Sequence, residues 1–251
     1  CSIGIRPSRN YGEKPEPRRD SGDRGGIECG RSGPAQNPPI DSQSTGASTV
    51  SPVILATEDA LSEAIGFRLL SEINVDVNGI QCVRKDGAGY LHSKIDNWKA
   101  LARLRPVLLI TDLDRVTCAP HMRRRWLGNS PTPGNLLMRI AVREIESWIL
   151  ADHEAMRMLV GARGKLPASP DELPDPKSHL LQIAKHAPRD IRTDMIKAKG
   201  AVASQGIGYN SRLRHLVMSS WSADRAALRS QSLARTRIRL QELAARICRA
   251  Q

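Results

Sequence analysis

The chain has 251 residues, a formal net charge of +12 at pH 7, 40% hydrophobic residues and only 3% aromatic residues. This length allows one large domain or two small ones, and the low aromatic content requires a core built mainly of Leu, Ile, Val and Ala. No apolar run approaches the length of a membrane span, and the five scattered cysteines show no paired spacing, which argues against a disulfide framework. We therefore expect a cytoplasmic protein with no membrane partner.

The chain divides by composition into three parts. Residues 1–47 are rich in Gly, Pro, Ser and charges of both signs, and they lack apolar periodicity. Such a segment buries too little apolar surface to offset the entropy lost on ordering. We predict that residues 1–47 are disordered, that 48–160 form the core, and that 161–251 form a loop-rich, helical and Arg-rich region packed on that core.

Strand and helix patterns alternate in the first part of the ordered chain. They predict a buried strand over residues 52–56, an amphipathic helix over 60–73, a second strand over 75–83, a helix over 92–104 and a third strand within 105–115. This succession predicts an α/β fold with a parallel sheet and right-handed crossovers.

The third strand carries two acidic residues at its carboxyl end. Its apolar residues 107–110 are consecutive, as in a central parallel strand that is buried on both faces. Asp112 and Asp114 follow two residues apart, so on an extended chain their side chains point to the same side. Such a pair can bind one divalent cation, Mg²⁺ or Mn²⁺, through hard oxygen ligands. The alternative is that one Asp caps a following helix and the other is solvated.

The rest of the chain predicts one more strand and several helices. In order, we expect a surface loop over residues 128–134, a fourth strand over 136–142, a helix over 143–159, a proline-rich loop over 167–176, a short helix over 179–186, a loop over 197–208, a helix over 209–217 and an Arg-rich helix over 230–249. The prediction is therefore a sheet of about four strands flanked by helices, with a C-terminal helical extension. The apolar seam of the last helix either docks on the body of the protein or forms a homodimer.

Positive charge is concentrated at the C-terminal end. Residues 212–249 contain nine Arg against two acidic residues, Asp224 and Glu242, which gives a surplus of +7. Such a surplus favours a polyanionic partner such as nucleic acid, or an anionic surface. The alternative is that the many arginines reflect the nucleotide composition of the gene.

A third carboxylate joins the pair if the sheet is parallel. Glu58 follows the first predicted strand, and the carboxyl ends of parallel strands lie on one edge of the sheet, where ligands of α/β proteins bind. Asp112 and Asp114 can then hold a metal ion against a phosphate, while Glu58 acts as a further ligand or as a general base. Three clustered carboxylates repel one another without a cation, which favours a bound metal.

Two motifs resemble the Toprim superfamily. A Glu that closes the first strand (LATED) and an Asp-x-Asp that closes the third (LITDLDR) are similar to its two defining motifs. In addition, REIESWILAD resembles the glutamate-rich helix start of Toprim-like proteins related to the overcoming-lysogenization-defect nucleases of bacteria.

The resemblance implies a Toprim-like, Rossmannoid catalytic core over residues 48–160 with Glu58, Asp112 and Asp114 as catalytic and metal-binding residues. It adds Glu144 and Glu146 as ligands of a second Mg²⁺ or Mn²⁺ ion. It implies a metal-dependent nuclease acting on DNA or RNA, with a role in phage defence. The alternative for both glutamates is a structural one, because acids are favoured in the first turn of any helix.

The sequence lacks residues and modules that accompany the Toprim domain in several of its enzymes. Tyr90 and Tyr209 have no context that supports tyrosine-dependent cleavage, which disfavours a topoisomerase. No zinc-binding or helicase module accompanies the domain, which disfavours a primase, and the sequence contains no ATPase motif of the Gly-x-x-x-x-Gly-Lys type. On the resemblance, the chain is a nuclease half that works with a partner ATPase or as a homodimer.

Basic residues near the motifs are candidates for binding nucleic-acid phosphates. They are Arg115, Arg139, Arg143, Lys177, Lys197 and Lys199. The alternative for each is a solvated surface charge.

Two other functions remain open at this point. A non-catalytic nucleic-acid or partner-binding module would use the same surface without turnover, and its binding would depend steeply on salt. A phosphatase of the haloacid dehalogenase type is suggested by TDLDRVT, but Arg115 replaces the glycine of that motif, and the motif follows the third strand instead of the first.

Overall fold

A computed structural model describes residues 52–84, 87–129, 131–200 and 202–249. The segment 1–47, for which we predict disorder, lies outside the described residues. Among the described helices, none is both long and apolar enough to cross a membrane.

Four parallel strands form one sheet. They are β1 (Val53–Thr57), β2 (Ile80–Arg84), β3 (Val107–Asp112) and β4 (Leu136–Ala141), in the order β2-β1-β3-β4. All residues of β1 and the first five of β3 are buried, as expected for central strands with uninterrupted apolar runs. The predicted α/β fold, with four parallel strands flanked by helices and a helical C-terminal extension, is confirmed.

Helices cover both faces of the sheet. The described helices are α1 (Ala60–Ser71), α2 (Ala88–Ser93), α3 (Ile95–Leu101), α4 (Ala119–Leu127), α5 (Glu146–Ala151), α6 (His153–Val160), α7 (Pro176–Ala184), α8 (Arg189–Met195), α9 (Tyr209–Ser219), α10 (Ala223–Ala227) and α11 (Gln231–Arg249). Helices α2, α3 and α4 pack on one face, where they meet Ile54, Ala56 and Leu109. The other described helices share the core on the opposite face with Leu55 and Leu108. The alternation of strand side chains therefore supplies two separate cores.

Several predicted elements differ from the observed ones. The second strand begins only at Ile80, after a 3-10 turn at Val77–Gly79, and the helix predicted over 92–104 is the pair α2 and α3. Helix α4 lies in the polar stretch between the third strand and the predicted surface loop over 128–134, where no element is predicted. Three consecutive exposed arginines, residues 123–125, interrupt its apolar pattern, although Met122 and Trp126 are buried. The short helices α8 and α10 were also not predicted.

The helix predicted over residues 143–159 is interrupted at Asp152. Helix α5 ends at Ala151 and α6 begins at His153, and the backbone of Asp152 between them has φ −87° and ψ 88°. The Asp152 side chain accepts a hydrogen bond from the backbone N–H of Ala155 at 3.3 Å, so it caps α6. The same buried carboxylate binds Arg225. A continuous helix would leave this cap and this ion pair unmade.

Residues on both sides of position 160 share one core, and residues 48–251 form one compact unit. The indole N–H of Trp148 in α5 donates to Ser232 Oγ in α11 at 2.7 Å, and that of Trp221 donates to the Trp148 carbonyl at 3.0 Å. Helix α11 packs on β4, and Ser230 Oγ caps it by accepting from Leu233 N at 3.2 Å. The C-terminal helices thus fix the start of α5, which carries part of the candidate site.

Candidate metal centre at the carboxyl edge of the sheet

Five carboxylates follow the carboxyl ends of the strands. We call this group the acidic edge: Glu58, Asp112, Asp114, Glu144 and Glu146. The register of the central strands explains its first contact, because Thr57 of β1 pairs with Ile110 of β3 and Glu58 is therefore level with Thr111. Thr111 Oγ1 donates a hydrogen bond to Glu58 Oε1, and the backbone N–H of Asp112 donates to the same oxygen at 3.0 Å. The convergence of Glu58 and Asp112 follows from parallel pairing alone.

The Asp112 carboxylate is the least satisfied group of the acidic edge. Its Oδ1 atom is buried and accepts no hydrogen bond from the described residues. Burial, and then the charges of Glu58 and Glu146, raise the pKa of Asp112 well above its ordinary value. A buried acceptor without a donor is unfavourable, so this oxygen is the place where a positive charge would be most stabilising.

Glu58 and Asp114 flank this carboxylate. Burial raises the pKa of Glu58, and nearby Asp114 adds to the rise, while the bonds from Thr111 and Asp112 N oppose it. Asp114 is exposed and has φ 50°, in the left-handed region that Asp tolerates better than most residues. The backbone is therefore no longer extended at Asp114. The prediction that Asp112 and Asp114 point to the same side assumed an extended chain, and that assumption is wrong at Asp114.

Glu144 and Glu146 enter from the segment that follows β4. Glu144 precedes α5, and its Oε2 accepts a hydrogen bond from the backbone N–H of Lys177 at 3.0 Å. Glu146 is the first residue of α5 and is only 5% exposed. Its Oε1 accepts from the Tyr209 hydroxyl at 3.0 Å and lies 3.9 Å from Lys177 Nζ. Burial raises the pKa of Glu146 to about 7 and also raises the pKa of Glu144.

The sequence pattern gave these two glutamates the wrong relative placement. Fourfold spacing predicts Glu144, Trp148 and Asp152 on one helix face with Glu146 turned away. Helix α5 begins only at Glu146 and ends at Ala151, so neither Glu144 nor Asp152 belongs to it. Trp148 lies in the core. Of the two glutamates, Glu146 is the one whose charge, after burial and the charge of Glu58, raises the pKa of Asp112.

Tyr209 and Thr111 are functional candidates that sequence reasoning missed. Tyr209 is fully buried, and burial, followed by the charge of Glu146, raises the pKa of its hydroxyl. A tyrosine that keeps its proton at neutral pH is a hydrogen-bond donor to Glu146 and a poor nucleophile. The Tyr209–Glu146 contact joins residues 63 apart in the chain, and no sequence signal links them.

A cleft of about 770 Å³ lies beside the acidic edge. Asp114 and Glu144 belong to its lining. Its basic and potentially basic residues are Arg115, Arg125, Arg143 and His121. Arg143 Nη1 also donates to the carbonyl of Val116 at 2.8 Å, which ties the end of β4 to the loop after β3. The cleft therefore brings cationic groups next to the carboxylates, as binding of a phosphate group requires.

The predicted phosphate-binding residues are divided between four places. Arg115 and Arg143 line this cleft, and Lys177 contacts Glu146. Arg139 lies in β4, where its Nε donates to Thr236 Oγ1 at 3.1 Å. The other two, Lys197 and Lys199, are exposed in the loop between α8 and α9 and form no hydrogen bond or ion pair with the acidic edge.

The carboxylate oxygens of the acidic edge are suitable ligands for a hard divalent cation. Carboxylate oxygens are the preferred ligands of Mg²⁺ and Mn²⁺, and Asp112 Oδ1 lacks a donor. Among the described residues, however, no three His, Cys, Asp or Glu side chains are grouped closely enough to hold an ion together. A complete ligand set therefore requires side-chain rotation, which the exposed Asp114 permits most readily.

Comparisons of the chain with protein-family models, with curated proteins and with solved structures found no match, so a function must be argued from the site itself.

Proposed function

We propose that the chain is a metal-dependent nuclease that hydrolyses phosphodiester bonds of DNA or RNA with Mg²⁺ or Mn²⁺ at the acidic edge. The observation that carries this proposal is the buried Asp112 Oδ1, which accepts no hydrogen bond from the described residues, in a carboxyl group whose pKa is raised by burial and then by the charges of Glu58 and Glu146. A buried, crowded carboxylate is stabilised by a cation more than by any neutral partner. Hydrolysis of phosphodiesters is the chemistry that such a cation supports beside a cleft with arginines.

The residues have separate roles in this proposal. Asp112, with Asp114 and Glu58, would hold the first ion, and Glu144 and Glu146 would serve a second. When bound, the metal supplies Lewis-acid activation of the phosphate and of a water molecule. Thr111 Oγ1 and the Asp112 N–H both bind Glu58 Oε1, so they orient Glu58 and leave its second oxygen to act as a base.

The cleft would receive the substrate. Arg115 and Arg143 line it beside Asp114 and Glu144, and guanidinium groups match the geometry of phosphate oxygens. Lys177 neutralises part of the charge of Glu146, which limits the repulsion between the carboxylates and an incoming phosphate. The raised pKa of buried Tyr209 supports hydrolysis by water over attack by a tyrosine.

The Toprim-like assignment is part of this proposal. It is supported by the placement of Glu58 after β1 and of Asp112 at the end of the neighbouring parallel β3. On that resemblance we also propose a cytoplasmic role in phage defence, with a partner ATPase or a second copy of the chain as the partner.

A second candidate is a binding module without turnover. It is favoured by the bonds that Thr111 and the Asp112 N–H make to Glu58 and by the lack of a preformed group of three ligands among the described side chains. Such a module would bind nucleic acid with a steep salt dependence and leave it intact.

A cleavage assay with a matched pair of variants distinguishes the two candidates. Full-length protein is incubated with plasmid DNA and with single-stranded RNA in Mg²⁺, Mn²⁺ or EDTA. We expect metal-dependent cleavage by wild-type protein and a loss of at least about a thousandfold in Asp112→Asn.

The control is Asp76→Asn. Asp76 is exposed and precedes β2 at the amino-terminal edge of the sheet, so this variant should cleave normally. Cleavage that survives in Asp112→Asn, or protein that binds but never cleaves with either metal, contradicts the nuclease proposal.

A further inference from the structure

Five arginines line two cavities beside β4. This strand is the last of the sheet and pairs only with β3. The group, which we call the arginine edge, contains Arg123 of α4, Arg139 of β4, and Arg235, Arg239 and Arg246 of α11. It lies outside the acidic edge and shares no residue with the cleft beside it.

Two cavities give the arginine edge a concave shape. One has a volume of about 240 Å³ and is lined by Arg123, Arg139, Arg239 and Arg246. The other, of about 220 Å³, is lined by Arg123, Arg139 and Arg235. Arg123 and Arg139 belong to both, so the two cavities adjoin along β4. Guanidinium groups from a helix on each face of the sheet therefore meet at its rim.

The positive charge of the arginine edge has little internal compensation. Glu242 is the one carboxylate in the lining of the two cavities, and it pairs with Arg239 at 2.8 Å. Arg139 donates to a neutral hydroxyl, that of Thr236. Burial, and then the charges of Arg123, Arg239 and Arg235, lower the pKa of Arg139 to about 10. The charge balance of the group thus favours an external anion.

One nitrogen atom of Arg246 also lacks a hydrogen-bond acceptor among the described residues. Its Nη2 donates to the carbonyl of Gly134 at 2.9 Å, but its Nε–H is buried and has no acceptor among the described residues. A buried donor of a charged group without an acceptor is unfavourable. An anion in the 240 Å³ cavity, which Arg246 lines, would provide acceptor oxygens.

We propose that the arginine edge binds the phosphate backbone of a nucleic-acid strand, independently of any metal at the acidic edge. Arg235, Arg239 and Arg246 are four and seven residues apart on α11, so they share one face over roughly 16 Å of helix. That length exceeds one phosphate group and accommodates several consecutive phosphates of a strand. A phosphate group of a flexible strand can also approach the partly buried Arg139 and Arg246 inside the cavities, whereas a flat anionic bilayer would contact mainly the exposed Arg123, Arg235 and Arg239.

Two exposed residues of α11 provide the test. Arg235 and Arg239 make only surface contacts, with Gln231 at 3.2 Å and Glu242 at 2.8 Å, and Gln is a good helix former. Binding of a fluorescent single strand of about 20 nucleotides is measured by anisotropy in EDTA at several salt concentrations. For Arg235→Gln/Arg239→Gln we expect an affinity loss of about 10- to 100-fold at low salt. The slope of log affinity against log salt should fall by about 1.4, for two lost phosphate contacts.

The matched control is Arg163→Gln/Arg214→Gln. Both residues are exposed, and neither lines the two cavities, so the control removes the same charge elsewhere. An equal loss of affinity in the control, or unchanged binding in the α11 variant, overturns the proposal. Sedimentation with phosphatidylserine vesicles that depends on Arg235 and Arg239, without an effect on the oligonucleotide, would assign the surface to a membrane instead.

The inference is separable from the nuclease proposal. Because the measurement is made in EDTA and detects binding alone, the affinity loss of Arg235→Gln/Arg239→Gln is expected whether or not the chain cleaves nucleic acid. A wild-type protein that binds the strand with Mn²⁺ but not in EDTA would overturn the claimed independence of the two sites.

Discussion

Asp112 and Asp152 are both aspartates with buried carboxylate atoms, but their surroundings are opposite. Asp152 accepts from the N–H of Ser222 at 2.8 Å, from Nε and Nη2 of Arg225 at 2.8 Å each, and from the N–H of Ala155. Asp112 has a buried oxygen that receives no hydrogen bond from the part of the chain that the structure describes, and it lies near further carboxylates. A carboxylate with a structural role is saturated with donors from its own chain. Asp112 lacks them, and this difference distinguishes a candidate ligand site from a structural ion pair.

Stability measurements provide the strongest test of this contrast. Asp152→Ala should lower the free energy of unfolding by about 3 kcal/mol, because it removes a helix cap and leaves Arg225 and Ser222 N without their acceptor. Asp112→Asn should leave it unchanged or raise it, because a neutral amide replaces a carboxylate that its neighbours repel. Urea denaturation of both variants gives the two values. A loss of similar size in both would remove the distinction between the sites.

Metal binding should stabilise the protein through Asp112. At about a hundredfold excess of Mn²⁺ over its dissociation constant, the free energy of unfolding should rise by about 2.7 kcal/mol. Thermal melts with and without Mn²⁺ measure this effect. The increase should be absent in Asp112→Asn and retained in the control Asp76→Asn. Equal stabilisation of all three proteins would place the ion elsewhere.

The metal-free protein should lose stability as the pH rises. The pKa of Glu146 is about 7 in the folded state against an ordinary value of 4.5, so between these values the folded state binds more protons than the unfolded state. Stability therefore falls by about 2 kcal/mol between about pH 5 and pH 7.5 from this group alone.

Denaturation in EDTA across this range checks the pH dependence. Glu146→Gln should flatten it, and saturating Mn²⁺ should reduce it, since the ion favours the ionised carboxylates. A wild-type protein whose metal-free stability rises over the same range would contradict the raised pKa of Glu146.

The smallest expected effect is that of Tyr209→Phe. It removes the hydroxyl that donates to Glu146 Oε1 and should cost about 1 kcal/mol of stability. Cleavage should stay within about tenfold of wild type, because the buried hydroxyl serves as a hydrogen-bond donor. Complete loss of cleavage together with the disappearance of a covalent protein–nucleic acid adduct would instead identify Tyr209 as a nucleophile.

The sequence could predict those parts of the site that depend on strand order. Glu58 and Asp112 each follow an uninterrupted apolar run, and parallel pairing brings the ends of such runs together. The placement of Glu146 was not predictable, because it depends on where α5 begins. That start is fixed by tertiary contacts, including the bond between Trp148 and Ser232 in α11.

Charged residues explain the two parts of the fold that the sequence pattern did not predict, the break at Asp152 and helix α4. The break at Asp152 results from a partner 73 residues away, Arg225, which no local rule identifies. Helix α4 buries Met122, Trp126 and Leu127, but its exposed arginines give the stretch a polar character. Local pattern therefore predicted buried strands well and failed where a charged side chain determines a boundary.

The arginine edge also has a consequence for solubility. The outermost strand of a sheet carries unpaired N–H and C=O groups that can pair with a strand of another molecule, and charged side chains are a common protection against this aggregation. Around β4, five guanidinium groups face one carboxylate, so two copies that approach through this side repel each other. Salt screens that repulsion, and a bound polyanion would neutralise it. Because helix α11 packs on β4 and five of the six β4 residues are buried, contact between copies on this side would be made by the arginine side chains, so we expect it to depend on ionic strength.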